Sequence, residues 1–308
     1  PSVMRTPMGD TGGEDLRDSR GIALADFDGD GDLDAVVGNE GDPGARNLIY
    51  RNVNGMFNFA PFTIGDDLDI NQTLDIAAAD SDNDGDMDVV AANFGGPGVY
   101  YLNDGTATLD SGNFPTQAAY TSVDRRTWAI GIADFDSDGD LDIIEANSGS
   151  GGQDGQVNSL YLNQLLESNT LSFSAEQTLT TNADKARTRA LALGDIDNDG
   201  DIDVIFGEQP TPSGHPGYNT CQRWTSSGFS SPTNIQPAST FLTFAVKLAD
   251  VNGDGYLDLI EGNQGAPSHV YLNNMPNSGA ACDFQAPVAI SDSQIGHTTV
   301  ALEVADFD

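Results

Sequence analysis

The sequence predicts an all-β fold, a β-propeller of four-stranded blades, and three observations carry that expectation. A nine-residue, aspartate-rich pattern returns at start-to-start separations of 54, 54, 61, 55 and 56 residues. The segments around it read as short strands, and no helical period fills the gaps between them. The 308-residue chain also carries 35 glycines and 14 prolines, a content that suits many turns rather than long helices. Hydrophobic residues make up 38%, enough for a folded core.

The repeated pattern is D-x-[DN]-x-D-G-x-φ-D, with φ apolar. It occupies 26–34, 80–88, 134–142, 195–203 and 250–258, and a sixth copy opens at Asp306. Before each copy lies a short alternating segment, at 22–25, 76–79, 130–133, 191–194, 246–249 and 302–305. This is the expected first strand. After each complete copy comes a mostly apolar run into a turn, at 35–39, 89–93, 143–147, 204–208 and 259–263, the expected second strand. A third strand is expected at 48–50, 99–102, 160–162 and 270–272, with 221–224 as a less faithful copy. The fourth strands are the weakest signal, near 57–64, 114–120, 171–179, 229–235 and 284–290.

The nine-residue loops and their flanks resemble the FG-GAP/VCBS repeat family, the calcium-loop propeller repeats of integrin α-chain heads and many bacterial surface proteins. The resemblance covers about residues 20–308 and implies repeats at about 20–73, 74–127, 128–188, 189–243 and 244–297, with a partial one at 298–308. Residues 1–19 read as a lead-in or the end of a preceding blade. Propellers of this family have six to eight blades, so five full repeats and one opening strand imply a chain that continues elsewhere.

The loop chemistry can also be read from the residues. Glycine at position six (Gly31, Gly85, Gly139, Gly200, Gly255) permits a tight reversal that brings side-chain oxygens from positions one, three, five and nine together. Position seven accepts tyrosine in the fifth loop, so it is expected to contribute its backbone carbonyl. The candidate metal ligands are Asp26, Asp28, Asp30, Asp32 and Asp34 in the first loop and Asp80, Asp82, Asp84, Asp86 and Asp88 in the second. They continue as Asp134, Asp136, Asp138, Asp140 and Asp142, then Asp195, Asp197, Asp199, Asp201 and Asp203. The fifth loop supplies Asp250, Asn252, Asp254, Tyr256 and Asp258, with the weakest affinity expected because Asn252 removes a charge. Position eight (Leu33, Met87, Leu141, Ile202, Leu257) is expected to plug into the core and open the second strand. An all-oxygen set without Cys or His selects calcium over zinc or copper, giving about five structural Ca²⁺ sites. Carboxylates about 5 Å apart repel by roughly 3 kcal/mol per pair at an effective dielectric near 20, and a divalent ion relieves this.

Charge narrows the function. Against 48 Asp+Glu there are 12 Lys+Arg, a net charge of −36. That excludes a phosphate-backbone binder and docking on anionic membranes. No apolar run is long enough for a transmembrane helix, and residues 1–5 contain no signal-peptide core. Of the 12 basic residues, Arg17, Arg20, Arg46, Arg125, Arg126, Lys185, Arg187 and Arg189 fall in the connections expected opposite the calcium loops. Two readings fit them. Arg46, Arg125, Arg126, Arg187 and Arg189, with Trp128 or Tyr218 for stacking, would bind an acidic glycan. Alternatively, the cations pair with neighbouring acids.

Catalysis has little support. His215, His269 and His297 match no motif and read as solvated loop residues, and no catalytic triad or phosphate loop stands out. Cys221 and Cys282 are 61 residues apart, and a bridge between adjacent blades is open but undecided. The expected function is a secreted or cell-surface, calcium-stabilised, non-catalytic adhesion or recognition module with an extracellular glycan or protein ligand. The alternatives are a polysaccharide lyase or other glycan-active enzyme, and a structural subunit of an extracellular assembly.

Overall fold

The computed structural model describes residues 18–40, 46–57, 60–65, 72–105, 114–149, 155–168, 170–179, 187–212, 214–235, 241–275, 282–290 and 298–305. Arg17, Lys185, His297 and the sixth loop at 306–308 lie outside them. Five antiparallel ladders follow one another along the chain. The first contains β1 (Asp18–Ala25), β2 (Asp34–Glu40) and β3 (Leu48–Tyr50). A small hairpin, β4 (Asn52–Val53) with β5 (Met56–Phe57), precedes its outer strand β6 (Phe62–Thr63). The second runs β7 (Thr73–Ala79), β8 (Asp88–Gly96), β9 (Val99–Leu102) and β10 (Thr116–Ala119). The third has β11 (Arg125–Ala133), β12 (Asp142–Asn147) and β13 (Ser159–Tyr161), then the one-turn helix α1 (Leu165–Ser168) and β14 (Gln177–Thr178). The fourth has β15 (Arg187–Gly194), β16 (Asp203–Gln209), β17 (Thr220–Gln222) and β18 (Thr233–Asn234). The fifth has β19 (Leu242–Ala249), β20 (Asp258–Gln264), β21 (His269–Tyr271) and β22 (Val288–Ala289). In each ladder neighbours in sequence are neighbours in the sheet.

The chain divides into two compact units, 1–125 with 167–172, and 126–166 with 173–308. In the first unit the first two ladders share one core. Phe27, Val36 and Ile49 of the first pack with Ile76, Val89, Tyr101 and Phe114 of the second. The backbones approach closely at Gly21, where a Cβ would lie 2.8 Å from the Ile76 nitrogen, so no larger residue fits there. In the second unit one core joins the third and fourth ladders through Phe135, Ile144, Leu160, Val204 and Phe206. Another joins the fourth and fifth through Ile196, Ile205, Leu259, Tyr271 and Phe284.

Each first strand is longer than the expected alternating segment and carries one bulge. The bulged residues are Arg20, Leu74, Trp128, Arg189 and Phe244. Beside four of the bulges a hydroxyl, from Ser19, Thr73, Thr127 or Thr243, donates to the side-chain oxygen of Asn39, Asn93, Asn147 or Asn263. The same asparagine amides then donate to carbonyls in the connection between strands two and three, at Arg46, Pro97, Val157 and Pro267. Glu208 holds that place in the fourth ladder and accepts from the Thr220 hydroxyl at 2.9 Å.

Three expectations need correction. Every second strand opens at position nine of its loop, not position eight. Leu33 is 55% exposed, and Ile22 and Leu24 of the first strand are exposed as well. Position two is buried at Phe27, Ser81, Phe135 and Ile196 but exposed at Val251, and of the position-eight residues Met87 and Ile202 do pack, half-buried, against a core. Residues 302–305 form no strand, since each first strand is held by a second strand following its loop, and these have none among the described residues. His269 is no solvated loop residue. It lies in β21, buried, stacked on Phe241 at 5.2 Å between ring centroids.

Cys221 and Cys282 form a disulfide, with Cα atoms 5.9 Å apart. Cys221 sits in β17, and Cys282 lies before the outer strand of the next ladder, so the bridge pins the fourth ladder to the fifth. Closing a loop of this length restricts the unfolded chain by about 2–4 kcal/mol. Replacing both cysteines by serine is therefore expected to lower the denaturant midpoint of the second unit. Equal midpoints with and without reductant would contradict this.

Candidate metal centres

All five nine-residue loops are built by the same hydrogen bonds. The position-one aspartate accepts from the backbone N–H of positions five and six: Asp26 from Asp30 and Gly31, Asp80 from Asp84 and Gly85, Asp134 from Asp138 and Gly139. Asp195 and Asp250 repeat the arrangement. Position five then accepts from the N–H of position seven, as Asp30 does from Asp32 at 3.0 Å. This winding needs two left-handed residues per loop. One is the expected glycine, such as Gly85 at φ 99°. The other is position four, occupied by Gly29, Asn83, Ser137, Asn198 and Gly253, all at positive φ. The Gly/Asn/Ser choice at position four was a readable signal.

Position nine anchors the loop from below. One oxygen accepts from the N–H of position two: Phe27 to Asp34, Ser81 to Asp88, Phe135 to Asp142, Ile196 to Asp203 and Val251 to Asp258. The other accepts from a residue one or two positions past the third strand, namely Asn52, Asn103, Asn163, Trp224 and Asn273. These five aspartates are fully buried. Burial pushes their carboxyls up despite the two amides, to about 6 for Asp34 and about 7 for Asp88, Asp142 and Asp203. Asp258 shifts the same way for the same reason.

Position seven does something different. The Asp32 carboxylate accepts from the Asn54 N–H, and that of Asp140 from the Leu166 N–H, both at 2.7 Å. Its side chain thus fastens the turn after the third strand, leaving its backbone carbonyl as the group that can face the loop.

Carboxylate oxygens converge to within 4.8 Å of one another in four loops. The groups are Asp26, Asp28 and Asp34; Asp80, Asp82 and Asp88; Asp134, Asp136 and Asp142; and Asp195, Asp197 and Asp199. Several clustered acidic residues are therefore able to coordinate a metal ion. Two position-three oxygens in these groups, Asp82 Oδ1 and Asp197 Oδ1, are buried without a hydrogen-bond donor. An orphaned buried carboxylate oxygen is costly, and a cation satisfies it, so these residues fit a hard divalent ion. In the fifth loop Asp250, Asp254 and Asp258 do not converge in this way. There the Asn252 amide donates to Asp254 at 3.1 Å.

With this geometry the comparisons with known proteins can be placed. The FG-GAP-like repeat pattern matches residues 26–91 and again 80–145, each match running from one loop past the next. The chain is a β-sheet repeat domain related to the FG-GAP-type repeats. No curated protein matches it. Among solved structures, the V. cholerae biofilm matrix protein Bap1 is similar at 16% identity and a TM-score of 0.52, over 92% of this chain and 41% of Bap1. The chain thus spans about two fifths of the Bap1 chain, and the likeness is one of fold. BBS1N, solved in complex with ARL6DN, aligns over 92% of this chain and 82% of its own, with a TM-score of 0.46 and 14% identity.

The residues expected to meet a ligand are placed as follows. The Arg189 guanidinium carbon lies 3.5 Å from the Trp128 ring centroid and 5.7 Å from that of Phe244. Three successive bulges of the second unit thus stack an arginine between two aromatic rings. Arg126 and Arg187 lie at the starts of β11 and β15, and Tyr218 is half-buried in the connection before β17. Arg46 gives its carbonyl to the Asn39 amide, and Arg125 opens β11. Arg20 forms an ion pair with Glu40. No helix among the described residues is long and apolar enough to cross a membrane.

Two tests follow from the loop chemistry. The raised position-nine carboxyls bind protons more tightly folded than unfolded, where the ordinary value is 3.8. Their stabilisation is present below about 4 and is lost as pH rises through about 7. Melting in chelator is expected to fall steadily across that window, whereas a flat profile would show ordinary carboxyls. Asp142→Ala removes the acceptor of two buried amides and is expected to cost about 2 kcal/mol or more in urea unfolding.

Proposed function

We propose that the chain is a calcium-stabilised β-propeller segment of a secreted or cell-surface protein, acting as a rigid, non-catalytic adhesion or recognition module. The observation that carries this reading is the convergence of three carboxylates in each of four loops, with buried oxygens that lack a donor. Calcium suits the all-oxygen set, and side chains at positions one, three, five and nine with the carbonyl at position seven would hold it. Bound there, the ion would supply charge neutralisation. The fifth loop, with its amide turned onto Asp254, would be weakest. The pairing of each first strand with the strand after its own loop supports repeat boundaries near 20–73, 74–127, 128–188, 189–243 and 244–297, each repeat as one blade.

The disulfide suits an oxidising compartment, and the likeness of fold to a biofilm matrix protein points the same way. Weak extracellular calcium sites of about 10⁻⁴–10⁻³ M suit such a place. Within this reading an acidic glycan is the ligand class that Arg126, Arg187 and Tyr218 would take. Arg189, stacked on Trp128, would be the further cation of such a site. A surface assembly built with further copies or partners is the alternative role.

Elemental analysis after dialysis against calcium is expected to find the ion bound. Chelation is expected to lower the melting temperature by many degrees, and an unchanged melt would sink the calcium reading. For the ligand, Arg126→Ala with Arg187→Ala should abolish retention on uronate or sulfated polysaccharide columns. Retention equal to the parent's would remove the glycan reading.

A further inference from the structure

The residue that leaves each third strand is fixed by register. Tyr50, Tyr101, Tyr161, Gln222 and Tyr271 each pair with the residue just after position nine of their own loop. The next residue in each case is Arg51, Leu102, Leu162, Arg223 and Leu272. Three repeats place a leucine there and two an arginine. Both arginines reach the metal-type loop of their own repeat. Arg51 Nε lies 2.5 Å from Asp28 Oδ2, and its Nη2 lies 3.3 Å from Asp30 Oδ2. Arg223 Nη1 donates to Asp197 Oδ2 at 2.8 Å. The carboxylates they meet at position three are almost wholly buried, at 0% and 5% side-chain exposure.

We propose that Arg51 and Arg223 are resident cations of the first and fourth loops, so that the four converging loops form two classes. The guanidinium neutralises the position-three carboxylate, whereas at Asp82 and Asp136, the same position in the second and third loops, the neighbouring charges are other aspartates. The first and fourth loops keep their winding with little help from a divalent ion and bind one more weakly, because a positive group already shares their oxygens. The second and third loops have Leu102 and Leu162 in that register, and among the described residues no arginine pairs with their position-three carboxylates, so their order follows the ion. Removing the arginine raises the negative charge at the site by one, and divalent affinity is expected to rise on the order of tenfold. A fall in calcium would therefore loosen one loop in each of the two units while its arginine-bearing neighbour holds.

This inference rests on the calcium reading, and one experiment separates their failures. Hydrogen exchange of the full chain is compared in calcium and in chelator, reading 26–34, 80–88, 134–142 and 195–203 separately. Calcium is expected to protect the second and third loops strongly and the first and fourth little. In Arg51→Leu with Arg223→Leu, the first and fourth loops should become as calcium-dependent as the others, and Arg→Lys at both should restore the parent pattern. Equal calcium protection of all four loops in the parent chain overturns the inference and leaves the calcium reading standing. No calcium response in any loop overturns both. Should the leucine variant fail to fold, the comparison within the parent chain decides alone.

Discussion

Everything in this fold hangs on a buried carboxylate at the end of each nine-residue loop. Asp34, Asp88, Asp142, Asp203 and Asp258 each accept one amide from their own loop and one from just past the third strand. A single side chain thus fixes the loop's mouth, starts the second strand and sets where the third strand ends. Two amides satisfy two lone pairs and leave the others available, so the same group can both build the loop and face a cation. Burial makes this arrangement costly to ionise, which is why its carboxyl sits well above the ordinary range.

The acidity of the whole chain follows from that constraint. Of the 48 acidic residues, 23 lie in the five loops, so the net charge of −36 is partly a property of repeated sites rather than of the surface at large. Counter-charge comes from two directions. In two repeats it is an arginine from just past the third strand, and in the others a cation from solution would supply it. Elsewhere Arg20 pairs with Glu40, Lys247 with Glu303, and Arg189 stacks on Trp128.

The repeat made most of the fold readable. Strand three is marked by its aromatic core and lands within about one residue of its observed place. Strand four is legible only as a region, because its two to four residues are exposed or half-buried and set by pairing rather than by pattern. The bulges were hidden for a related reason: one extra residue in a ladder leaves no mark on alternation when that residue is as different as Leu74, Trp128 and Arg189. At the loops aspartate dominates the pattern, while the burial of position two and the amide supplied just past strand three come from packing that the spacing does not carry. The roles of Arg51 and Arg223 depend on strand register rather than on loop spacing.

The Cys221–Cys282 bridge also has a mechanical side. If the chain is pulled from its two ends, the residues between these cysteines are bypassed by the covalent link and cannot contribute to its extension. A separation of 61 residues would otherwise release on the order of 200 Å of slack. Strands β18 to β21, enclosed by the bridge, would therefore stay out of the line of force.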